Sequence, residues 1–385
     1  MLKKILRGIR TGLLGFCVLF TLLALIFGGL YFRDFANLFS VWGIVNTAYI
    51  ESPDRDSLIA GASRGLVEGL EDPYSEYVTG EEYQETLERL SGAFAGLGIY
   101  FTMEEEIPTV VYVFPESPAE KAGLVNGDRI LSAGDTEFAG MEMDQVSEVL
   151  KGPEGSLVTI LVEREDGTRV ELDIIRESIE YQTIYSSRLE SDPDIGYVHI
   201  SSFSQKTPEQ LGEALEGLGD IRGLVLDLRQ NGGGEVTGAL GTAAYFLPKG
   251  PIIFEESRYN IRTQEAMGGN TDMPLVVLVN GNSASAAEIV AGAIQDTGRA
   301  MLVGEQTFGK GIVQRYFPTW GGDWVKLTVT RYLTPKKRSI HGEGLTPDRV
   351  IPMTEEQYME ALYGETSPDP AADPQLQEAL DLLTD

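Results

Sequence analysis

A run of 22 residues without a charged side chain, Thr11–Phe32, most constrains what this chain can become. As a helix that rises about 1.5 Å per residue, the run would reach about 33 Å and cross the apolar core of a bilayer. Four basic residues precede it: Lys3, Lys4, Arg7 and Arg10. By the positive-inside rule, the N-terminus stays in the cytoplasm and everything after Phe32 lies outside. The sequence therefore predicts a single-pass cell-membrane protein, anchored by residues 1–33, with an extracytoplasmic body.

The alternative for this run is a cleaved signal peptide. Such peptides carry an apolar stretch of about 7–15 residues and end in a small-x-small site. The run here is longer and continues into Gly-Gly-Leu-Tyr-Phe, which favours an uncleaved anchor. Cys17, the only cysteine, lies early inside the run, which is typical of a membrane-buried apolar side chain and not of a lipidation site. A single cysteine also excludes an intrachain disulfide and a cysteine-ligated zinc site.

The acidic balance of the chain excludes a further class of function. Thirty Lys and Arg residues face 59 Asp and Glu residues, a net charge of −29 over 385 residues. Phosphate backbones and anionic headgroups repel such a surface, so we expect no nucleic-acid partner. The length predicts roughly two or three folded units, and the 42% hydrophobic content is typical of globular proteins.

Two kinds of pattern follow the predicted anchor. Residues 34–91 are helical in pattern: Ser57 begins a stretch with apolar residues near 3.6-residue spacing, and Thr79-Gly-Glu-Glu82 is a capping-box pattern that opens a helix through Leu90. Residues 92–179 contain helices at Ser117-Pro118 and Met143–Leu150. They also contain five alternating segments that predict strands, namely Gly98–Thr102, Thr109–Phe114, Arg129–Ala133, Leu157–Glu163 and Val170–Ile174.

Residues 92–179 resemble a PDZ domain. The resemblance rests on Gly96-Leu97-Gly98-Ile99, Ser117-Pro118-Ala119 and Gly127-Asp128-Arg129-Ile130-Leu131, in that order. It implies a groove in which backbone N–H groups, freed by Gly96 and Gly98, bind the C-terminal carboxylate of a peptide while the next strand pairs with it. The alternative is that these glycines only form a hairpin.

Two buried-strand patterns each lead into a turn of small residues. Leu224–Leu228 precedes Gly232-Gly233-Gly234, whose backbone N–H groups suit a phosphate or an oxyanion. Leu275–Val279 leads to Ser285, and a helix is predicted from Ala286. A turn of this kind exposes the Ser285 hydroxyl at the N-terminus of the helix. The positive end of the helix dipole favours a nucleophile at that place. The local alternative is structural, since Ser285-Ala-Ala-Glu288 is itself a capping box.

The segment Gly304–Gly311 is close to the phosphate-binding pattern G-x4-G-K-[ST], but Gly311 replaces the hydroxyl that binds magnesium. The residues after it favour a strand, so nucleotide binding is disfavoured. In an extended segment, positions i and i+4 share a face, so Gln314 is expected to hold the Lys310 amine. A lysine buried among apolar groups has a lowered pKa and accepts a proton at neutral pH, which pairs it with a serine for acyl transfer.

Four ordered motifs resemble the C-terminal processing peptidases: Asp227–Gly234, Ser283–Glu288, Phe308–Gln314 and Tyr332–Pro335. The resemblance implies an α+β multidomain protein. After the transmembrane helix come a helical region (34–91), the PDZ domain (92–179), an α/β catalytic core of the ClpP/crotonase fold (180–353) and an acidic helical tail (354–385).

The resemblance also implies roles for individual residues. Ser285 would be the nucleophile, Lys310 the general base and Gln314 the partner that orients the lysine. The backbone N–H groups of Ala286 and of Gly233 or Gly234 would bind the oxyanion. Gly232 departs from the proline or serine that the family commonly has there. Lys151 resembles a basic residue that senses peptide occupancy in some members; the alternative is a solvated rim lysine.

Neither His199 nor His341 matches a catalytic position of the family, and Asp227 is predicted to be structural, pairing with Arg229 or capping the turn. The sequence thus predicts a serine endopeptidase that captures substrate C-termini and uses no metal or other cofactor. The alternative is a non-catalytic PDZ adaptor on an inactive protease scaffold, although such a scaffold should have lost the serine or the lysine. Terminal helices build homodimers in some relatives, and the oligomeric state is left open.

Overall fold

The computed structural model describes residues 35–269, 272–354, 356–358, 361 and 368–384. The predicted anchor, residues 11–32, and Cys17 lie outside this set. Among the residues that are described, no helix combines the length and the apolar character needed to cross a bilayer.

The described residues up to Glu71 form one compact unit and those from Asp72 onwards form another. The first unit consists of two helices, α1 (35–48) and α2 (Arg55–Glu68). Asp54 caps α2 because its carboxylate accepts the backbone N–H of Ser57 at 3.0 Å. The helix therefore begins two residues before the predicted start at Ser57.

The second unit opens with a short strand and a capped helix. β1 (Glu76–Val78) precedes α3 (Gly80–Ser91). The predicted capping box is confirmed, since the Thr79 hydroxyl accepts the Glu82 N–H at 3.2 Å and the Glu82 carboxylate accepts the Thr79 N–H at 2.7 Å.

Residues 99–175 form an antiparallel sheet with two helices. The strands are β3 (Ile99–Glu104), β4 (Ile107–Val113), β5 (Arg129–Ala133), β6 (Thr136–Glu137), β7 (Leu157–Glu163) and β8 (Arg169–Ile175), and the helices are α4 (Pro118–Ala122) and α5 (Met143–Leu150). β5, β7 and α5 have the predicted bounds. Apolar side chains from both layers are fully buried between them, among them Ile130, Val146 and Ile160. β2 (Ala93–Gly96) precedes this sheet in sequence and β9 (Glu177–Glu180) follows it. The two strands pair antiparallel with each other.

A second sheet has the order β10-β11-β12-β15-β16-β19, and all of its pairs except β10–β11 are parallel. Its strands are β10 (Ile184–Leu189), β11 (Asp192–Ile200), β12 (Gly223–Asp227), β15 (Leu275–Val279), β16 (Met301–Gly304) and β19 (Arg349–Val350), and its helices are α6 (Thr207–Leu218), α7 (Val236–Phe246), α8 (Ala286–Thr297) and α9 (Pro374–Thr384). Every residue of β12 and β15 is buried, which explains their continuous apolar sequences. Because parallel strands end at a common edge, the turns after β12 and β15 meet.

A third sheet completes the unit with β13 (Gly250–Ser257), β14 (Ile261–Ala266), β17 (Ile312–Pro318) and β18 (Trp324–Leu333). The long strand β18 pairs with β17 along one edge and with β1 and β13 along the other. This pairing brings the turn before β1 next to the segment that carries Lys310.

Candidate active site

Ser285 occupies a sharp turn between β15 and α8. Its backbone has φ +54° and ψ −113°, a conformation that a residue with a side chain rarely adopts. Neighbouring contacts hold the turn, since the Ser283 hydroxyl donates to the Leu228 carbonyl at 2.7 Å and the Ala284 N–H donates to the Asn231 carbonyl at 2.9 Å. The turns after β12 and β15 therefore form one joined structure that presents the Ser285 side chain.

Gly233 packs directly against this turn. Its φ is +104°, and a Cβ at this position would lie 2.8 Å from the Ser285 Cβ and 3.1 Å from the Ala286 nitrogen. A Cβ on Gly234, where φ is +137°, would lie 2.1 Å from the Phe203 carbonyl oxygen. Only glycine fits either position.

The predicted oxyanion donors differ in their present contacts. The Gly233 N–H donates to the side-chain oxygen of buried Asn231 at 2.9 Å, and the Asn231 amide donates to the Ile200 carbonyl at 2.8 Å. A role for the Gly233 N–H in binding an oxyanion therefore requires this bond to open. The other two predicted donors are the backbone N–H groups of Ala286 and Gly234. Neither has to break a hydrogen bond with Asn231 before it can bind an oxyanion.

A single buried carboxylate connects the segments of Ser285 and Lys310. Glu288 is fully buried in α8, and its Oε2 accepts the backbone N–H of Ser285 at 2.9 Å and that of Lys310 at 2.8 Å. Its Oε1 accepts the Gly309 N–H at 2.8 Å and the Thr307 hydroxyl at 2.6 Å. The capping-box pattern predicted the first contact but not the other three, because they come from a segment more than 18 residues further along the chain.

Tyr332 clamps the same two residues from their carbonyl side. Its hydroxyl lies 2.9 Å from the Ser285 carbonyl oxygen and 3.0 Å from that of Lys310, and shares its proton between them. Burial, followed by the charge of Glu288, holds the pKa of Tyr332 well above its usual value, so the hydroxyl remains a donor. In the sequence, Tyr332 stands out only as the first residue of the Tyr332–Pro335 motif, and no local pattern indicates this role.

Lys310 lies just before β17 and is half-buried. Burial lowers the pKa of its amine, the nearby Lys326 lowers it further, and Glu76 opposes both effects. The Lys310 Nζ lies 4.9 Å from the centroid of the Tyr74 ring.

Gln314 has a different contact in this structure from the predicted one. Its side-chain nitrogen donates to the Thr328 hydroxyl at 3.3 Å. Because β17 begins only at Ile312 and the β17–β18 register shifts between Val313 and Gln314, the i and i+4 rule for a strand does not describe this segment. The assignment of Gln314 as partner of the Lys310 amine stays a prediction.

The predicted pairing of Asp227 with Arg229 is confirmed. Both side chains are fully buried, and the guanidinium lies 2.6 Å from Asp227 Oδ2. Burial alone would raise the pKa of Asp227, but Arg229 overcomes this and holds it below its usual value. No pattern in the sequence indicates the other partners of Arg229, among them Asp373 at 2.8 Å and the Gln375 side-chain oxygen at 3.1 Å.

His199 lies opposite Asp227 in the β11–β12 register, and His341 lies beside Tyr74. His199 is in β11 with its ring 6.3 Å from that of Tyr185, and exposed His341 stands edge-on to Tyr74 with 6.4 Å between ring centroids.

A cavity of about 300 Å³ lies where the PDZ resemblance predicts a peptide groove. Its lining includes Leu97, Gly98 and Ile99 at the start of β3, together with Leu150 and Lys151 at the end of α5. A Cβ on Gly98, where φ is +79°, would lie 2.4 Å from the Ser117 Cβ, so this position needs glycine. Gly96 also lines the cavity, at the end of β2.

Lys151 stands at the rim of this groove. Its amine lies 3.9 Å from a carboxylate oxygen of Glu88 in α3 and 5.8 Å from the centroid of the Phe94 ring in β2. The side chain therefore contacts both the groove and α3. This location fits a sensor of peptide occupancy and a solvated rim lysine equally well.

Comparison with known proteins identifies the family. The model for peptidase family S41 matches residues 194–351, that for a PDZ domain matches 109–164, and that for the activating protease CtpB N-terminal domain matches 31–82. A carboxy-terminal-processing protease of Bartonella bacilliformis is 34% identical over 331 residues, which cover 83% of this chain and 75% of that protein. The chain belongs to the C-terminal processing peptidases.

Another relative of this peptidase, the carboxyl-terminal-processing protease of a Picosynechococcus species, is 32% identical over the whole of this chain and 97% of its own length. Among solved structures, a photosystem II D1 C-terminal processing protease is 29% identical, with a TM-score of 0.47 over 81% of this chain and 86% of that one. The matches to peptidase family S41 and to a PDZ domain, together with the carboxy-terminal-processing relatives, show that this peptidase is a serine hydrolase with a PDZ domain.

Proposed function

We propose that this peptidase is tethered to the membrane and cleaves extracytoplasmic proteins near their C-termini with a dyad of Ser285 and Lys310. The observation that carries the dyad is the shared anchoring of the two residues. Glu288 accepts both backbone N–H groups, and Tyr332 contacts both carbonyls. Such double anchoring would hold the two side chains in a fixed relation, as acyl transfer requires.

The proposed reaction moves one proton between three groups. Neutral Lys310 accepts the proton of the Ser285 hydroxyl as its oxygen attacks the peptide carbonyl, and the lysine becomes an ammonium. Backbone N–H groups, with Ala286 and Gly234 as candidates, stabilise the oxyanion. Collapse of the intermediate breaks the C–N bond, and the ammonium donates its proton to the leaving amine. Water then hydrolyses the acyl-enzyme by the same proton transfers.

The dyad is tested by hydrolysis of an unstructured peptide by the full-length protein in detergent. We expect Ser285→Ala and Lys310→Ala each to lower kcat at least about a thousandfold, and the exposed-residue controls Ser191→Ala and Lys336→Ala to retain activity. Ser283→Ala is not a suitable control because its hydroxyl holds the turn. Unchanged turnover in either dyad variant would refute the dyad, and inactivity of the wild type on all peptides tested would favour the adaptor alternative.

Capture of substrate C-termini by the groove is supported by the cavity beside Leu97–Ile99 and by the apolar side chains that line it. We expect a fluorescent peptide with a free C-terminus to bind more tightly than its C-terminally amidated form. Equal affinities would contradict recognition of the carboxylate.

The tether is supported by the uncharged run 11–32 and the basic residues before it. We expect the protein to stay in membranes during alkaline extraction and its body to be digested when protease is added outside intact cells. Loss of 1–33 should release it. Release of the intact chain by alkali, or protection of the body from external protease, would contradict the proposed anchor and orientation.

A further inference from the structure

The general base has a neighbour that sequence reasoning did not connect with it. Tyr74 lies in the turn of residues 72–75 before β1, more than 200 residues away in sequence, and its ring centroid is 4.9 Å from the Lys310 Nζ. β1 pairs antiparallel with β18 in a register that sets Glu76 opposite Lys326. The sheet thus delivers Tyr74 to Lys310.

The Tyr74 backbone is held in place by its own turn. The Asp72 carboxylate accepts the Tyr74 N–H at 3.1 Å and the Ser75 hydroxyl at 2.6 Å. The Ser75 oxygen in turn accepts the backbone N–H of Thr328 at 3.1 Å. These bonds fix the backbone of the turn, and with it the attachment point of the Tyr74 ring, to β18.

The same contacts reach Gln314. Thr328, whose backbone N–H binds Ser75, accepts the Gln314 amide through its hydroxyl at 3.3 Å. The ring under the lysine and the residue predicted to orient the lysine are therefore connected through one threonine. In this arrangement the aromatic face, and not the Gln314 amide, contacts the amine.

We propose that Tyr74 is a positioning residue for Lys310: its ring holds the ammonium in the site between turnovers and releases the neutral amine towards Ser285. The inference rests on the proposed dyad. An aromatic face attracts a cation through its quadrupole, and this attraction disappears when the amine loses its proton. The protonated lysine therefore stays on the ring. Once the ammonium has given its proton to solvent water, the neutral lysine is free to accept the Ser285 proton. The ammonium formed in that step donates to the leaving amine.

The charge state of Lys310 reflects a balance of neighbours. The charged and titratable groups around the contact are Lys326 and Glu76, which pair with each other at 2.7 Å, Asp72, His341 and Tyr74 itself. Burial and Lys326 favour the neutral amine, whereas Glu76 favours the ammonium. The ring of Tyr74 also favours the ammonium, because an aromatic face attracts a cation. Loss of the ring should therefore ease deprotonation, and it should leave the ammonium that forms as Ser285 attacks without a fixed position.

The test is the pH dependence of kcat for the full-length protein in detergent, in a His341→Gln background that removes the imidazole beside Tyr74. For Tyr74→Leu we expect the acidic limb to move to lower pH by about 0.5 to 1. We also expect the plateau kcat to fall about tenfold while KM is unchanged. Tyr74→Phe keeps the aromatic face and should behave as the parent does.

A graded series and a matched control separate positioning from folding. Phenylalanine analogues with one, two and three ring fluorines at position 74 keep the shape of the ring but reduce the negative potential of its face. The acidic limb of the kcat profile should therefore move stepwise to lower pH. Tyr259→Leu removes an exposed tyrosine that contacts Arg258 at 5.8 Å, and should change nothing.

A pH limb that stays in place across the fluorinated series, while Lys310→Ala is inactive, would overturn the role of Tyr74 and leave the dyad intact. Activity in Lys310→Ala would instead overturn the dyad.

Discussion

Asp373, near the start of the last helix, forms a 2.8 Å salt bridge with Arg229, which follows the catalytic-core strand β12. Both side chains are buried, and Arg229 stands directly before the turn that contains Gly233. The chain segment after residue 367 is therefore part of the structure that supports the site. In α9, Leu376 and Ala379 add fully buried apolar contacts to the same packing.

The buried salt bridge predicts that a conservative substitution of Asp373 lowers the stability of the protein strongly. Asp373→Asn leaves part of the Arg229 charge without its partner in a buried site, which should lower the free energy of unfolding by about 3 kcal/mol. Urea denaturation measures the change. Asp381→Asn, in the same helix but exposed, should change it by less than about 0.5 kcal/mol. Equal effects of the two variants would show that the salt bridge contributes no more than a surface contact.

Replacing the carboxylate that joins the segments of Ser285 and Lys310 should reduce turnover if these residues form the proposed dyad. In Glu288→Gln, an amide NH₂ meets backbone N–H groups that need an acceptor, so the contacts to Ser285 and Lys310 cannot all persist. We expect kcat to fall at least about a hundredfold, measured by peptide hydrolysis. The control is Glu209→Gln on an exposed position of α6. A kcat within about threefold of the wild type would contradict this role of Glu288.

Alanine substitutions at the adjacent residues Gly232 and Gly233 should have different effects on stability. Gly233→Ala places a Cβ 2.8 Å from the Ser285 Cβ at a positive φ, so we expect destabilisation by about 2 kcal/mol or more and loss of activity. Gly232→Ala finds open space and ordinary backbone angles, so it should be neutral or stabilise by up to about 1 kcal/mol. Thermal unfolding and hydrolysis of both variants check the pair. Similar behaviour of the two would contradict the close approach at Gly233.

The lowered pKa of Lys310 predicts how stability depends on pH. The folded protein loses this proton below the ordinary lysine pKa of 10.5, whereas the unfolded chain keeps it up to that value. Lys310→Met, which lacks the buried charge, should therefore be more stable than the wild type at neutral pH. Its advantage should shrink as the pH rises through the interval between the lowered pKa and 10.5. Denaturation at several pH values measures the difference, and a constant difference would contradict a lowered pKa.

Lys151→Ala should weaken binding of a peptide with a free C-terminus if the lysine senses groove occupancy. Loss of a partly exposed charge at the rim predicts roughly a fivefold increase in Kd, measured by fluorescence anisotropy. Lys121→Ala removes another exposed ion pair, with Glu177 at 2.9 Å, and serves as the control. If both variants bind as the wild type does, Lys151 is a solvated rim residue.

Much of the fold follows from local patterns. Strands β5, β7 and β15 and helix α5 have the bounds that alternation, apolar runs and caps predict, because these signals arise from neighbours in the chain. The start of α2 was wrong by two residues because Asp54 competes with Ser57 as the cap. Lys310 and Gln314 do not follow the i and i+4 spacing of a regular strand, because the β17–β18 pair has a register shift that depends on the partner strand.

The sequence by itself determined the family, the order of the parts and the chemical types at the site, since ordered glycine, serine and lysine motifs report local backbone needs and reactivity. Only the tertiary structure decided which distant groups surround them: Glu288 and Tyr332 joining the Ser285 and Lys310 segments, Tyr74 beneath the amine, and Asp373 on Arg229. The contacts of Lys310 alone link it to residues between 22 and 236 positions away, from Glu288 and Tyr332 to Tyr74. They depend on how sheets and helices pack, and no pattern in a single stretch of chain encodes that packing.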